Sequence, residues 1–257
     1  MRNVIRKVIP DKLLSTWRRI RDAWNTSKDL LLLCRICLAG GSYTDFYAAR
    51  MDKLAESVGE TVTGRPEDKL FQLEYLEKHG LTPDAEFLDY GCGAVAAGVH
   101  FIKYLESGRY TGADISGRCI ELAESRIQKL SLQGKEARLV HLPGGDLAKL
   151  NGRRFDIIWA QSVFTHMPAD AIRGFLIAVR RFLKPSGRFF ANFASAEGKR
   201  RRTSVKDFYY KSDLFLQAAK VTGYDCEIMS DWRHPAGAFD RLLCFSLSKK
   251  GSHHDNS

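Results

Sequence analysis

From residue 86 onward the apolar positions alternate between two rhythms. Short dense runs have the character of buried strands, and runs spaced at three and four residues have that of amphipathic helices. The dense runs predict strands over 86–90, 110–115, 137–141, 155–160, 188–194, 224–229 and 242–248. Helical spacing predicts 94–106, with Val99, Phe101, Ile102 and Leu105 inward, then 116–133 capped by Ser116, 170–183, and 212–222 capped by Ser212. Lys184-Pro-Ser-Gly187 is expected to break the third of these helices before the fifth strand. Repeated β-then-α units imply an α/β fold, a mostly parallel sheet with helices on both faces.

The first 65 residues carry only the helical rhythm. Leu13, Leu14, Trp17, Ile20 and Trp24 recur at helical spacing, Asp11 after Pro10 is placed to cap the start, and Gly40-Gly41 stops the pattern. Further helices are expected over 44–58 and 66–79, with Gly80 as the glycine just past a helix end. At 257 residues and 44% apolar composition, one sizeable domain with added elements suffices. The expected organisation is a helical extension over 1–65, an α/β domain over 66–250 and a polar, disordered tail over 251–257.

Charge is uneven. Of the net +10, residues 1–37 carry +6, from nine Lys/Arg against three Asp, and a second basic block occupies 199–202. Packing on the main domain is the favoured reading of the basic N-terminal helix, with contact to an anionic membrane surface or a partner as minor ones. The run from Leu30 to Cys34 is too short to span a membrane or act as a secretory leader, so a reduced, cytoplasmic setting is expected. Cys34-Arg-Ile-Cys37 is a lone CxxC with no second pair or suitably spaced histidines, so no metal is expected.

Candidate chemistry lies just beyond the strand ends, where open parallel sheets bind ligands. Phe87-Leu-Asp-Tyr-Gly-Cys-Gly-Ala-Val-Ala-Ala-Gly98 is a strand running into a glycine turn, and Gly91 and Gly93 let the backbone pass close to a ligand. A helix directly after the turn would aim its free N–H groups at the same place. Asp114 ends the second strand, 21 residues after Gly93, where a carboxylate can accept both ribose hydroxyls of an adenosine. Asp146, beyond the third strand, is placed to accept from an adenine amino group. Gly91-Cys-Gly93-Ala-Val-Ala96 also fits the relaxed nicotinamide fingerprint. Asp89 argues against that reading: two positions before the first glycine, a carboxylate suits a cationic ammonium and clashes with a pyrophosphate.

These motifs resemble those of class I S-adenosylmethionine-dependent methyltransferases. Leu88-Asp-Tyr-Gly-Cys-Gly93 is similar to the family's first motif, Tyr110-Thr-Gly-Ala-Asp-Ile-Ser116 to its ribose-binding second-strand motif, and Leu183-Lys-Pro-Ser-Gly187 to the motif opening strand five. Residues 155–166 resemble its fourth-strand segment, and 100–110 a bacterial subgroup. The resemblance implies a doubly wound seven-stranded sheet ordered 3-2-1-4-5-7-6 with strand seven antiparallel, and S-adenosyl-L-methionine as cofactor. It implies that Asp89, Gly91 and Gly93 hold the methionine end, Asp114 the ribose and Asp146 the adenine. Cys92, Ile115, Leu147 and Gln161 would complete the cofactor site. Val95 stands at the family's third glycine position, where it is expected to narrow the pocket.

The expected activity is methyl transfer to an oxygen or nitrogen of a small-molecule or glycan-type acceptor, anionic acceptors included. His166 and His234, on segments rimming the site, are the candidate general bases. Phe208-Tyr-Tyr210 beside 199–202 resembles a lid that stacks on a ring and pairs with an anion; with no recognisable RNA-binding module, nucleic acid is not the expected partner. Two other classes stay open: a nicotinamide-dependent oxidoreductase, and a non-catalytic binding protein on the same fold.

Overall fold

The dense apolar runs assemble into one seven-stranded sheet. The structure, a computed structural model, describes residues 11–196, 204–235, 237 and 239–248, with side chains from residue 22 onward. The strands are β1 (Phe87–Tyr90), β2 (Tyr110–Asp114), β3 (Arg138–His141), β4 (Phe155–Ala160), β5 (Leu183–Phe193), β6 (Tyr224–Ile228) and β7 (Arg241–Leu247). Their spatial order is β3-β2-β1-β4-β5-β7-β6. β1 to β5 pair in parallel, and β7 runs antiparallel to both β5 and β6. Strand order reverses between β1 and β4, so a ligand crevice is expected beyond their carboxyl ends.

The helices are α1 (Asp11–Leu38), α2 (Tyr43–Val58), α3 (Leu70–Lys78), α4 (Gly98–Tyr104), α5 (Gly117–Lys129), α6 (Ala169–Arg180) and α7 (Ser212–Thr222). Alternate strand residues feed two cores. Leu88, Ile158 and Phe189 join Phe164, Leu176 and Phe245 on one face. Phe87, Ile157, Trp159 and Phe190 join Phe101, Tyr110 and Trp232 on the other. Cover on both faces is why β1 and β4 appear in sequence as continuous apolar runs.

Most element boundaries fall within a few residues of those expected, and two departures have physical causes. The helix expected from 94 begins only at Gly98, because Gly93 (φ 55°) and Val95 (φ 48°) adopt left-handed backbone that no α-helix accommodates. Lys184-Pro-Ser-Gly187 belongs to β5: Phe155 pairs with Leu183 and Ile157 with Arg188, so the intervening residues bulge out of the ladder.

α2 is tied down at both ends. Ser42 and Asp45 form a reciprocal capping box at its start. Asp52 accepts from Ser116 Oγ (2.6 Å) and from the Arg118 N–H (3.1 Å), joining α2 to the start of α5. Beyond its end, buried Arg126 donates to the carbonyls of Glu60 (2.6 Å) and Ala94 (2.5 Å). α1 packs on α2 through the Arg50–Asp29 ion pair (3.1 Å). Residues 1–10, the basic block at 199–202 and the tail 251–257 lie outside the described residues. Among the described residues, no helix is long and apolar enough to cross a membrane, and no cluster of three potential metal ligands occurs.

Candidate active site

Beyond the carboxyl ends of β1, β2 and β4 lies a cavity of about 810 Å³. That volume is in the range of small-molecule and cofactor sites. Asp89, Gly91, Cys92, Asp114, Ile115, Asp146, Leu147, Gln161 and His166 all line it, so the fold brings together candidates that lie far apart in the chain. Gly93, Val95 and His234 do not line it.

The glycine turn explains the first two absences. Gly93 acts through its N–H, which donates to Asp114 Oδ2 (2.8 Å), and a Cβ there would collide with Thr63 at 2.2 Å. Gly91 has φ 78°, and a Cβ on it would meet Val163 at 2.8 Å. Val95 does not narrow the pocket, because its side chain is fully buried in the core beside Ile102 and Tyr110. Its cost is conformational: a β-branched residue in left-handed backbone is strained. The turn's N–H groups are not free for a ligand either. Those of Gly91 and Cys92 both donate to Ala113 O, at 2.7 and 3.2 Å. A pyrophosphate would find these donors already spent.

Two carboxylates sit deep in this wall. Asp114 is buried, with Oδ1 accepting from the Ser116 N–H and Oδ2 from the Gly93 N–H, both at 2.8 Å. Burial holds its pKa above the ordinary carboxylate value, and the two N–H donors offset only part of that rise. Among the described residues, Asp89 accepts only from the Tyr110 hydroxyl (2.9 Å). Burial pushes its carboxyl up to about 7; the Tyr110 hydrogen bond lowers it and nearby Asp114 raises it further. Asp89 is therefore the group here that most lacks a cation. Asp146 Oδ1 accepts from the Ala148 N–H (2.9 Å), which fixes its carboxylate at the rim. Gln161 and Thr63 line the cavity, and their Oε1 and Oγ1 atoms are buried without a hydrogen-bond partner among the described residues.

The two histidines separate. The Nδ1 of His166 lies 2.7 Å from Lys206 O and 3.2 Å from Asp207 Oδ1, and its ring stacks on Tyr47 at 5.0 Å. A backbone carbonyl only accepts, so Nδ1 carries the proton and the lone pair of the neutral ring is on Nε2. Burial raises the Asp207 pKa, but hydrogen bonds from His166 and Lys206 outweigh it and hold the carboxyl well below its usual range. His234 instead packs edge-on against Phe71 (5.4 Å) and Phe239 (5.3 Å). Burial and the Lys69 charge both lower its pKa. Lys69 and Phe239, not His234, form the wall at that point.

The expected aromatic lid is mostly structural. Phe208 stacks on Tyr210 (6.2 Å) and meets Tyr43 edge-on (5.8 Å), while the Tyr210 hydroxyl donates to Met167 O (2.7 Å). Neither Phe208 nor Tyr210 lines the cavity. The sequence reading missed the opposite wall, which α2 supplies with Tyr43, Tyr47, Arg50 and Leu54. Those four fall at one helical stripe, spaced four, three and four, so the face was visible in the sequence although what it covers was not. Lys69 and Gln72 are further wall residues the motifs did not flag. Gln72 Oε1 accepts from Trp159 Nε1 (2.9 Å), leaving its amide nitrogen as donor.

Residues 88–189 match the family model described as a methyltransferase domain. The match spans less than half of the chain; the fold, with strand order β3-β2-β1-β4-β5-β7-β6 and β7 antiparallel, is that of the class I methyltransferases. A probable methyltransferase of Aspergillus luteorubrus, ltbC, is 28% identical over 138 residues, 52% of this chain and 47% of that protein. An uncharacterized protein of Haemophilus influenzae is 36% identical over 84 residues, 32% of each chain. The chain thus spans less than half the length of these curated relatives. Among solved structures, the CcbJ methyltransferase from Streptomyces caelestis superposes with a TM-score of 0.58 at 16% identity, over 80% of this chain and 98% of that one. Magnesium protoporphyrin IX methyltransferase from Synechocystis, solved with bound SAM, gives 0.55 at 16% identity over 71% and 79%. At such identities the likeness is one of fold.

Proposed function

We propose that the chain transfers the methyl group of S-adenosylmethionine to an oxygen or nitrogen of a small-molecule or glycan-type acceptor, using α1 and α2 as a helical extension to the domain at 66–250. The observation that carries this reading is the uncompensated Asp89 carboxylate in the same cavity wall as the clamped Asp114. The cofactor suits the residues present. Asp89 would hold the methionine ammonium, Asp114 the ribose hydroxyls and Asp146 the adenine amino group. Cys92, Ile115 and Leu147 would flank the adenosine beside Gln161. When bound, the cofactor supplies a sulfonium whose methyl is displaced in line.

The protein's part in that displacement is alignment, water exclusion and removal of a proton. Tyr43 and Tyr47 close the cavity from α2, and His166 faces it with Nε2 as the basic nitrogen. For a hydroxyl acceptor, Nε2 takes the proton and Asp207 stabilises the resulting imidazolium. Structures of like fold include a magnesium protoporphyrin IX methyltransferase and a glycopeptide N-methyltransferase, which supports a broad screen. The test is transfer of labelled methyl to a panel of hydroxyl- and amine-bearing acceptors, by wild type and His166→Ala. With a hydroxyl acceptor, His166→Ala should lower kcat by about 10²–10⁴ with KM for the cofactor unchanged. Equal kcat in the two proteins rejects His166 as the base.

A further inference from the structure

Among the described residues, Arg50, Lys69 and Arg181 are the Lys and Arg side chains that line the cavity. Arg50 is paired with Asp29 (3.1 Å), and Arg181 is exposed, with its guanidinium over the Phe182 ring (4.7 Å). Lys69 is half-buried and has neither an ion pair nor a side-chain hydrogen bond among the described residues. Burial lowers its pKa, and the neighbouring Asp68 charge offsets only part of that fall. Its ammonium lies over Gly64 (φ 98°), where a Cβ would meet Lys69 Cε at 2.8 Å and Nζ at 3.2 Å. One turn further on, Gln72 is 2% exposed and also lines the cavity. Trp159 Nε1 pins its Oε1 (2.9 Å), so the amide nitrogen keeps its N–H donors for a ligand. No side chain caps the start of α3 between these two residues, which leaves the positive end of the helix open as well.

This group of donors belongs to the Asp89 end of the cavity. Asp89 of β1 and Trp159 of β4 are direct partners in the ladder, on strands about 4.8 Å apart. Both side chains turn to the same face, since the Tyr110 that donates to Asp89 shares a core with Trp159. Thr63 continues the same wall and lies against the Gly93 turn. A carboxylate without a cation and an ammonium without an anion thus share one end of one cavity. Neutralising both takes a ligand with the two opposite charges close together, as on the single α-carbon of an amino acid. We propose that Lys69, with the Gln72 amide nitrogen, binds the carboxylate of the cofactor's methionine part while Asp89 holds its ammonium. The inference rests on the cavity being the S-adenosylmethionine site. It makes Lys69 a specificity residue for the intact amino-acid end, supplied by a segment that lies before the matched domain at 88–189.

The test is calorimetric titration of the full chain with three probes: S-adenosylmethionine, its decarboxylated form, and 5′-methylthioadenosine, which lacks the amino-acid end. Lys69→Met keeps the apolar stem over Gly64 and removes the charge; Lys69→Arg restores a cation, and circular dichroism checks that both fold like wild type. Wild type should bind S-adenosylmethionine about tenfold or more tightly than the decarboxylated form, the scale of one charge-assisted contact. Lys69→Met should lose that preference, with affinity for the other two probes unchanged, and Lys69→Arg should recover most of it. Unchanged S-adenosylmethionine affinity in Lys69→Met overturns the proposal and leaves the cofactor site standing. Equal weakening of all three probes also overturns it, because the lysine would then be supporting the wall and not reading the carboxylate. If wild type binds none of the three, the cofactor reading of the cavity falls, and the proposal with it.

Discussion

Asp89 concentrates the energetics of the site in one side chain. Its carboxyl titrates near 7 in the folded protein against 3.8 for the ordinary group, so the folded form is the better proton acceptor. The stability this confers is complete below about pH 4 and lost as pH rises through about 7, on the order of 1 kcal/mol per pH unit between the two values. Asp89→Asn keeps an acceptor for the Tyr110 hydroxyl and removes the titration. Its melting temperature without cofactor should gain on wild type steadily from pH 5 to 7 and then level off; parallel pH profiles would contradict this. A second residue acts through the same hydroxyl. A Cβ on Gly98 would meet Tyr110 Oη at 2.4 Å and Val95 at 2.8 Å. Gly98→Ala should therefore cost about 1–3 kcal/mol in chemical denaturation and raise the Asp89 pKa. Gly91 and Asp89 were legible in the sequence because their types and spacing follow from the turn itself. The left-handed Val95 was not, since no propensity announces a β-branched residue in that conformation.

Among the elements, α2 decides whether the cavity is closed. Its hold on the domain depends on polar contacts distant in sequence: Asp52 to Ser116, and Arg126 to Glu60 and Ala94. Replacing Arg126 with Met leaves the Ala94 and Glu60 carbonyls without their buried donor. The loss of such charge-assisted hydrogen bonds is worth about 1.5–3 kcal/mol, and thermal unfolding should fall by roughly 3–12 °C. Cofactor affinity should weaken as well, since the segment joining α2 to the glycine turn is released; unchanged affinity would mean that α2 covers the site without shaping it. Strand and helix order was readable because buried parallel strands announce themselves as dense apolar runs. The role of α2 was not, because helical spacing shows a face and not what lies against it. His166 and His234 illustrate the same limit: both are rim histidines in sequence, and only the tertiary contacts with Lys206 and Phe71 tell them apart.

In the whole molecule, the fold gathers three aspartates from the ends of three neighbouring strands around one cavity and gives each a different partner. Asp114 is clamped by two backbone donors, Asp146 by one, and Asp89 by a hydroxyl that leaves its charge unmatched. That asymmetry favours a ligand with a cation at one end and hydroxyls in the middle, and it disfavours a dinucleotide, whose pyrophosphate would face Asp89 and spent N–H donors. The most direct measurement is calorimetric titration of the full chain with S-adenosylmethionine, and with NADH for comparison, repeated on Asp114→Ala. The account predicts that the sulfonium cofactor binds, that NADH does not compete, and that Asp114→Ala weakens binding tenfold or more, about 1.4 kcal/mol. Tight NADH binding, or cofactor binding indifferent to Asp114→Ala, would contradict it.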